Sequence, residues 1–242
     1  MASFHLCIKS AKKGNARRHS VYIAREGSHS TRQDLIHTGY GNLPDWAHGN
    51  PSYFWSMADR YERANGAVYR EHEIALPNEL TIEQLIVLAE RLVRELVGNK
   101  PYQYAIHAPD GSIGKIQNRH MHLMYSDRMP DGISRAPDQM FSRFNARQPW
   151  AGGCRKDSGG KTPLQLRQEV TATRKLVADT QNQVLAEHGH DACLDHRSLR
   201  ERGIERRAER HLGSRLIEGM SDSEKATYAT YRNRHSGGES SL

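Results

Sequence analysis

The chain has 242 residues, 26% charged and 36% hydrophobic, with 35 Lys and Arg against 28 Asp and Glu for a net charge of +7. Such a length carries one sizeable core without staples, and three scattered cysteines, Cys7, Cys154 and Cys193, exclude a disulfide framework or a thiolate metal site. The longest apolar run, Leu85 to Ala89, is far below the roughly 20 residues of a membrane span, and without a signal-peptide core near the start a soluble protein of the reducing cytoplasm is expected.

Phe4 to Lys9 alternates apolar and polar side chains and predicts a half-buried strand. Residues 1–32 then hold seven basic side chains, Lys9, Lys12, Lys13, Arg17, Arg18, Arg25 and Arg32, against the single acid Glu26. Tyr22 lies inside this block, and a second basic block runs from Arg197 to Arg215. Clustered cations are the footprint of a phosphate-backbone partner; the competing reading is a solvated surface. Asn50-Pro51 opens a helix through Phe54, Met57, Ala58 and Tyr61 that ends near Gly66. Val68 to Leu76 reads as a strand stopped by Pro77.

Thr81-Ile82-Glu83-Gln84 is a capping box, followed by Leu85, Leu88, Ala89, Leu92, Val93 and Leu96 at helical spacing until Gly98. Tyr102 to His107 predicts a strand, which a hairpin through Asp110-Gly111-Ser112 brings beside the strand holding His120-Met121-His122. Residues 131–160 form a long irregular connection, interrupted from Gln139 to Phe144. Thr162-Pro163 starts a second long helix whose Leu166, Val170, Val177 and Val184 make an apolar stripe ending at Gly189. Segment 221–233 predicts a short helix, and Ser236 to Leu242 a frayed end. Strands linked by hairpins and interleaved with helices argue for α+β: a central antiparallel sheet covered by helices, with a C-terminal helical region.

Side chains alternate faces along a strand, so His120 and His122 point the same way while Met121 turns to the core. With His107 they make three imidazoles that leave coordination positions open for substrate. Imidazole ligands suit several divalent ions and, being neutral, leave the ion's full charge to act on an anionic substrate such as a phosphate. Glu71 and Glu73 share a strand face and present carboxylates able to orient a ligand histidine or accept a proton; a plain polar strand face is the alternative. A positive charge near a phenol stabilises its nucleophilic oxyanion, which makes Tyr22 a candidate nucleophile.

Ordered matches run along nearly the whole chain: Phe4-His5-Leu6 with Lys9, Val21 to Gly27, Asp59 to Gly66, Glu73 to Pro77, Glu79-Leu80-Thr81, Ala105-Ile106-His107, His120 to Met124, Asp131-Gly132-Ile133, Gly189 to Ala192, Asp195 to Leu199, Gly203 to Arg206 and His211-Leu212-Gly213. On these the sequence resembles the MobA/MobL relaxases that mobilise plasmids. The resemblance implies an HUH-type two-layer relaxase domain over 1–215, with a C-terminal helix and flexible tail over 216–242. It implies Tyr22 as the nucleophile that nicks the plasmid transfer origin, forming a 5′-phosphotyrosine and later religating the strand. His107, His120 and His122 would hold Mn²⁺ or Mg²⁺, with Glu71 and Glu73 as the catalytic acidic pair. Lys12, Lys13, Arg17, Arg18, Arg25, Arg197 and Arg206 would bind single-stranded origin DNA, with accessory mobilization proteins and a type IV coupling system as further partners. The chain departs from the family pattern in three ways, one being that it stops at Leu242, without the primase or helicase region that extends many family members. Arg119 stands where a proline often precedes the histidine pair, and no second tyrosine follows Tyr22, His29 lying nearby. The alternatives are a rolling-circle replication initiator, a metal-dependent nuclease using water, and a purely DNA-binding protein.

Overall fold

A computed structural model describes residues 4–111, 113, 117–191, 194–205, 212 and 214–236. Ser112, Ala192, Cys193, Arg206, His211, Gly213 and residues 237–242 lie outside them. The elements run β1 (Leu6–Ala11), α1 (Ala16–Ile23), β2 (Leu35–Gly41), α2 (Pro51–Tyr61), β3 (Tyr69–Ala75), α3 (Ile82–Val97), β4 (Tyr102–His107), β5 (His120–Tyr125), β6 (Arg128–Met129), α4 (Pro137–Met140), β7 (Arg155–Lys156), α5 (Pro163–Glu187), α6 (Ser214–Glu218) and α7 (Asp222–Ser236). They fall into two compact units, Met1–His107 with Arg119–His196, and Ala108–Asn118 with Arg197–Leu242.

The first unit has the expected α+β architecture. Its five strands are ordered β1-β3-β5-β4-β2 and every neighbouring pair is antiparallel. Strand alternation sends Leu6, Ile74, Met121, Leu123, Tyr104 and Ile106 to one face, where they form a core with α3 and α5. Helix α3 starts on the capping box, Thr81 and Gln84 each accepting the other's backbone N–H. Leu85, Leu88 and Leu92 are fully buried on it, each adding about 1.5–3 kcal/mol of burial free energy. Helix α5 is capped the same way by Thr162 and Gln165. Its core contacts begin only at Val177. Leu166 and Val170, expected on the apolar stripe, are 36% and 43% exposed, because residues 162–172 are exposed on every side and have no core to enter.

The other face receives α1 and α2, which place Ala16, Ile23, Phe54, Trp55 and Ala58 against Tyr69, Ala105 and Met124. Neither α1 nor β2 is legible as an element in the sequence. Helix α1 is polar and has no side-chain cap of its own. Asp59 of α2 supplies one, its carboxylate accepting from the backbone N–H of Gly14 (2.7 Å), Ala16 (3.2 Å) and Arg17 (3.0 Å). In β2, Gly39 lies under the ring of Tyr104, where a Cβ would stand 2.5 Å from Cε1. The aromatic neighbour fills the space and keeps this residue a glycine.

Two buried arginines order the irregular segment after β5. Arg128 forks onto Glu62 (2.8 and 3.0 Å) and donates to the carbonyls of Ser142 and Cys154, both at 2.7 Å. Arg135 pairs with Asp131 and donates to the carbonyls of Gly152 (2.8 Å) and Pro149 (2.9 Å). Charge-assisted hydrogen bonds hold this loop where an apolar stripe is lacking. The second unit contains α6, α7 and the bridge between Asp110 and Gln117. Among the described residues, no helix is long and apolar enough to cross a membrane.

Candidate active site

The antiparallel pairing of β4 and β5 sets His107 directly opposite His120, and the two-residue alternation of β5 adds His122 to the same face. The ring centroids of the three histidines lie 5.0–5.4 Å apart, and one nitrogen of each falls within 4.8 Å of the others. An ion bound at about 2.1 Å to imidazole nitrogens needs them roughly 3.4 Å apart in tetrahedral geometry, so a small ring movement closes the set. His107 is fully buried. Burial, helped by Arg25 and against the hydrogen bond to Ile23, lowers its pKa to about 4 and keeps the imidazole neutral, as a ligand must be. Its Nε2 lies 2.8 Å from the Ile23 carbonyl, which only accepts, so the proton sits there and the lone pair on Nδ1. Arg25 Nη2 is 3.2 Å from that Nδ1, the nitrogen that His107 would offer to an ion. The donor set fits a divalent cation.

Glu71 and Glu73 also share this face, Glu73 standing opposite His122 and Glu71 opposite Lys9. Their surroundings separate them. Glu71 is buried and its Oε1 accepts from His122 Nδ1 at 2.8 Å and from His19 Nε2 at 2.6 Å. Burial works to raise its pKa, and the hydrogen bonds from His122 and His19 more than offset that, holding the carboxyl well below the usual range. A carboxylate on the second nitrogen of a ligand histidine fixes its tautomer and leaves Nε2 of His122 for an ion. Glu73 is half-exposed and ion-paired with Lys9.

Tyr22 stands on α1 above these groups, its ring 6.5 Å centroid to centroid from His122 and 5.2 Å from His29. The Arg25 guanidinium lies 4.6 Å from the Tyr22 ring centroid and that of Arg32 at 5.8 Å, with Arg32 Nη1 3.4 Å from the phenol oxygen. Helix α1 is tied to β4 at two points. One is the His107–Ile23 bond; the other is Ser20, whose buried hydroxyl donates to Gln103 Oε1 at 2.7 Å.

Of the cations expected to meet DNA, Lys12, Lys13, Arg17 and Arg18 are exposed around the start of α1, with Lys13 Nζ 3.0 Å from the Arg60 carbonyl. Arg25 differs. It is buried, at φ +54°, and forks onto Asp34 at 2.7 and 2.8 Å, which places it beneath Tyr22 rather than on the surface. Arg197 is exposed in the second unit, and Arg206 lies outside the described residues. The sequence reading gives no site role to His19, Asp34 and Tyr69, and names Arg32 only as part of the basic block around Tyr22. His19 had one available signal: three residues before Tyr22, it shares that face of α1 once a helix is drawn there.

The profile of the MobA/MobL family matches residues 9–221. The chain belongs to the MobA/MobL family. Among its relatives, the 43 kDa relaxation protein of Salmonella typhimurium is 42% identical over 209 residues, 85% of this chain and 56% of that protein. Mobilization protein A of Escherichia coli is 40% identical over 224 residues, 90% of this chain and 30% of that protein. The chain thus spans about half of one curated relative and under a third of the other. The fold is shared with a solved structure described as the molecular basis of vancomycin resistance transfer in Staphylococcus aureus, at TM-score 0.60 and 21% identity over 81% of this chain and all of that one.

Proposed function

We propose that this MobA/MobL chain is a metal-dependent DNA relaxase that nicks one strand at a plasmid transfer origin through Tyr22. The carrying observation is the placement of Tyr22 across from the three-histidine cluster, with its ring 6.5 Å from that of His122 and two guanidinium groups upon it. A relaxation protein and a mobilization protein as relatives support the substrate class.

The phenol oxygen of Tyr22 attacks the scissile phosphorus, a P–O bond forms to Tyr22, and the bond to the 3′-oxygen breaks. The phenol loses one proton and the 3′-oxygen gains one, so the exchange balances, and the 5′-phosphotyrosine keeps the bond energy for rejoining. Bound by His107, His120 and His122, a divalent ion such as Mn²⁺ or Mg²⁺ would polarise the phosphate. Arg25 and Arg32 stabilise negative charge at the phenol oxygen and on the phosphate beside it. Lys12, Lys13, Arg17 and Arg18 hold the DNA backbone, with Arg197 and Arg206 as further contacts, and each contact adds roughly 0.7 to the slope of log affinity against log salt for a single strand. Accessory mobilization proteins and a type IV coupling system complete the proposed transfer machinery, in the cytoplasm.

The test is incubation of wild type and Tyr22→Phe with Mn²⁺ and end-labelled single-stranded oligonucleotides covering the DNA around its gene, resolved on a denaturing gel. A covalent protein–DNA band that vanishes with Tyr22→Phe and with EDTA is expected. Cleavage without such a band and indifferent to Tyr22→Phe would favour a nuclease using water. Salt-sensitive binding without cleavage would favour a purely DNA-binding protein.

A further inference from the structure

His19 makes contacts unusual for a half-exposed histidine on a basic helix. Its ring stacks on Tyr69 at 5.4 Å with 7° between planes and on Tyr22 at 6.0 Å with 22°, so it contacts two phenols. Its edge meets His122 at 6.0 Å and 80°. Its Nε2 reaches the same oxygen of Glu71 that accepts from His122 Nδ1, at 2.6 and 2.8 Å. The Glu71 side chain is only 3% exposed, and that of His19 is 21% exposed.

A carboxylate this deeply buried is costly unless donors surround it. Both donors that the structure gives Glu71 Oε1 are imidazoles, one from β5 and one from α1. Removing His19 takes away one of those two donors and frees the carboxylate to swing from His122, which releases the second nitrogen of a candidate ligand. The same side chain also packs on the ring of the candidate nucleophile.

We infer that His19 is a positioning residue that joins the Tyr22 ring to the Glu71–His122 pair, so that the nucleophile and the metal centre are held in register by one side chain. This inference rests on the proposed reading of His122 as a metal ligand. His19, Glu71 and His122 also lie close enough to hold an ion themselves, but ligation needs lone pairs, and the nitrogens facing Glu71 Oε1 are at hydrogen-bond distance to a carboxylate, which only accepts.

The test uses the full chain and Mn²⁺ alone, with affinity and stoichiometry read by electron paramagnetic resonance, and oligonucleotide adduct formation measured in parallel. His19→Phe keeps the stacked ring and loses the donor; His19→Gln keeps a donor and loses the ring. Outer-partner changes cost 10–100-fold in metal affinity, so His19→Phe, one bond further out, is expected to weaken Mn²⁺ binding about tenfold. His19→Gln is expected to restore most of that affinity while still slowing the Tyr22 adduct. In a Glu71→Gln background, His19→Phe should have no further effect on Mn²⁺.

Wild-type Mn²⁺ affinity in His19→Phe overturns the inference, as does an equal loss in both backgrounds. Two Mn²⁺ per wild-type chain falling to one in His19→Phe also overturns it, in favour of a second ion site. A wild type that binds no Mn²⁺ overturns the metal reading, and this inference with it. If His19→Phe fails to fold, the comparison of His19→Gln with wild type decides: slowed adduct formation at unchanged affinity supports the inference, and an unchanged adduct rate overturns it.

Discussion

His107 gives its Nε2 proton to the backbone oxygen of Ile23 at 2.8 Å, the residue that follows Tyr22. One hydrogen bond thereby sets the tautomer of a candidate ligand and fixes the end of the helix that carries the candidate nucleophile. Replacing any one of His107, His120 or His122 by Ala is expected to weaken Mn²⁺ binding by more than about 100-fold, beyond the cost of losing an outer partner. Calorimetric titration measures this. Mn²⁺ should also raise the wild-type unfolding temperature and leave that of the variants unmoved, since a ligand stabilises only the state that binds it.

Asp59 is expected to act on Tyr22 without touching it. Asp59→Ala leaves the backbone N–H groups of Gly14, Ala16 and Arg17 without the carboxylate they share, a loss worth about 1–2 kcal/mol by the usual cost of removing a cap. Urea denaturation should show that drop, with Asp59→Asn retaining about half the cap. Adduct formation should slow in step, with a smaller loss of Mn²⁺ affinity than in His19→Phe, because the three candidate ligands sit on strands and are reached from α1 only through His19 and Ile23.

Glu62→Gln is predicted to be among the most damaging single changes outside the site. Arg128 is 2% exposed and its fork on Glu62 neutralises its charge. Breaking a buried pair from one side leaves an uncompensated charge and costs about 3–5 kcal/mol. The thermal transition should fall accordingly, with a matching shift of the urea midpoint.

Stability is expected to fall as pH is lowered from neutrality. Burial first, then Arg70 and Lys100, lower the pKa of His72 from 6.5 to about 4. Between those values the unfolded chain binds a proton that the folded chain refuses, so unfolding free energy rises with pH across that window. Asp157 adds a loss at lower pH. Burial works to raise it, but hydrogen bonds from Lys100 and Lys161 bring it from 3.8 to about 2, so its contribution is complete above the first value and vanishes towards the second. Denaturation of the EDTA-treated protein at pH 7 and 4.5 checks the His72 loss, and a further point near pH 2.5 checks that of Asp157. His107 shifts in the same direction, so His72→Phe should flatten the dependence only in part.

Local periodicity determined much of this protein. The capping boxes at Thr81 and Thr162 and the apolar spacing after Thr81 specify two helices, and alternation alone puts His120 with His122 and Glu71 with Glu73 on shared strand faces. Those signals are readable because neighbouring residues carry them. Only the tertiary structure decided how they meet. Helix α1 has no apolar stripe to announce it and is completed by Asp59, Gln103 and His107, bonding partners 42 to 84 residues away in sequence. β2, with its two glycines, becomes a strand only under the rings of Tyr102 and Tyr104. The sharing of Glu71 by His19 and His122 likewise depends on a helix folding across a sheet. Pairings between distant segments are fixed by the mutual burial and hydrogen bonding of their surfaces, which no window of sequence contains.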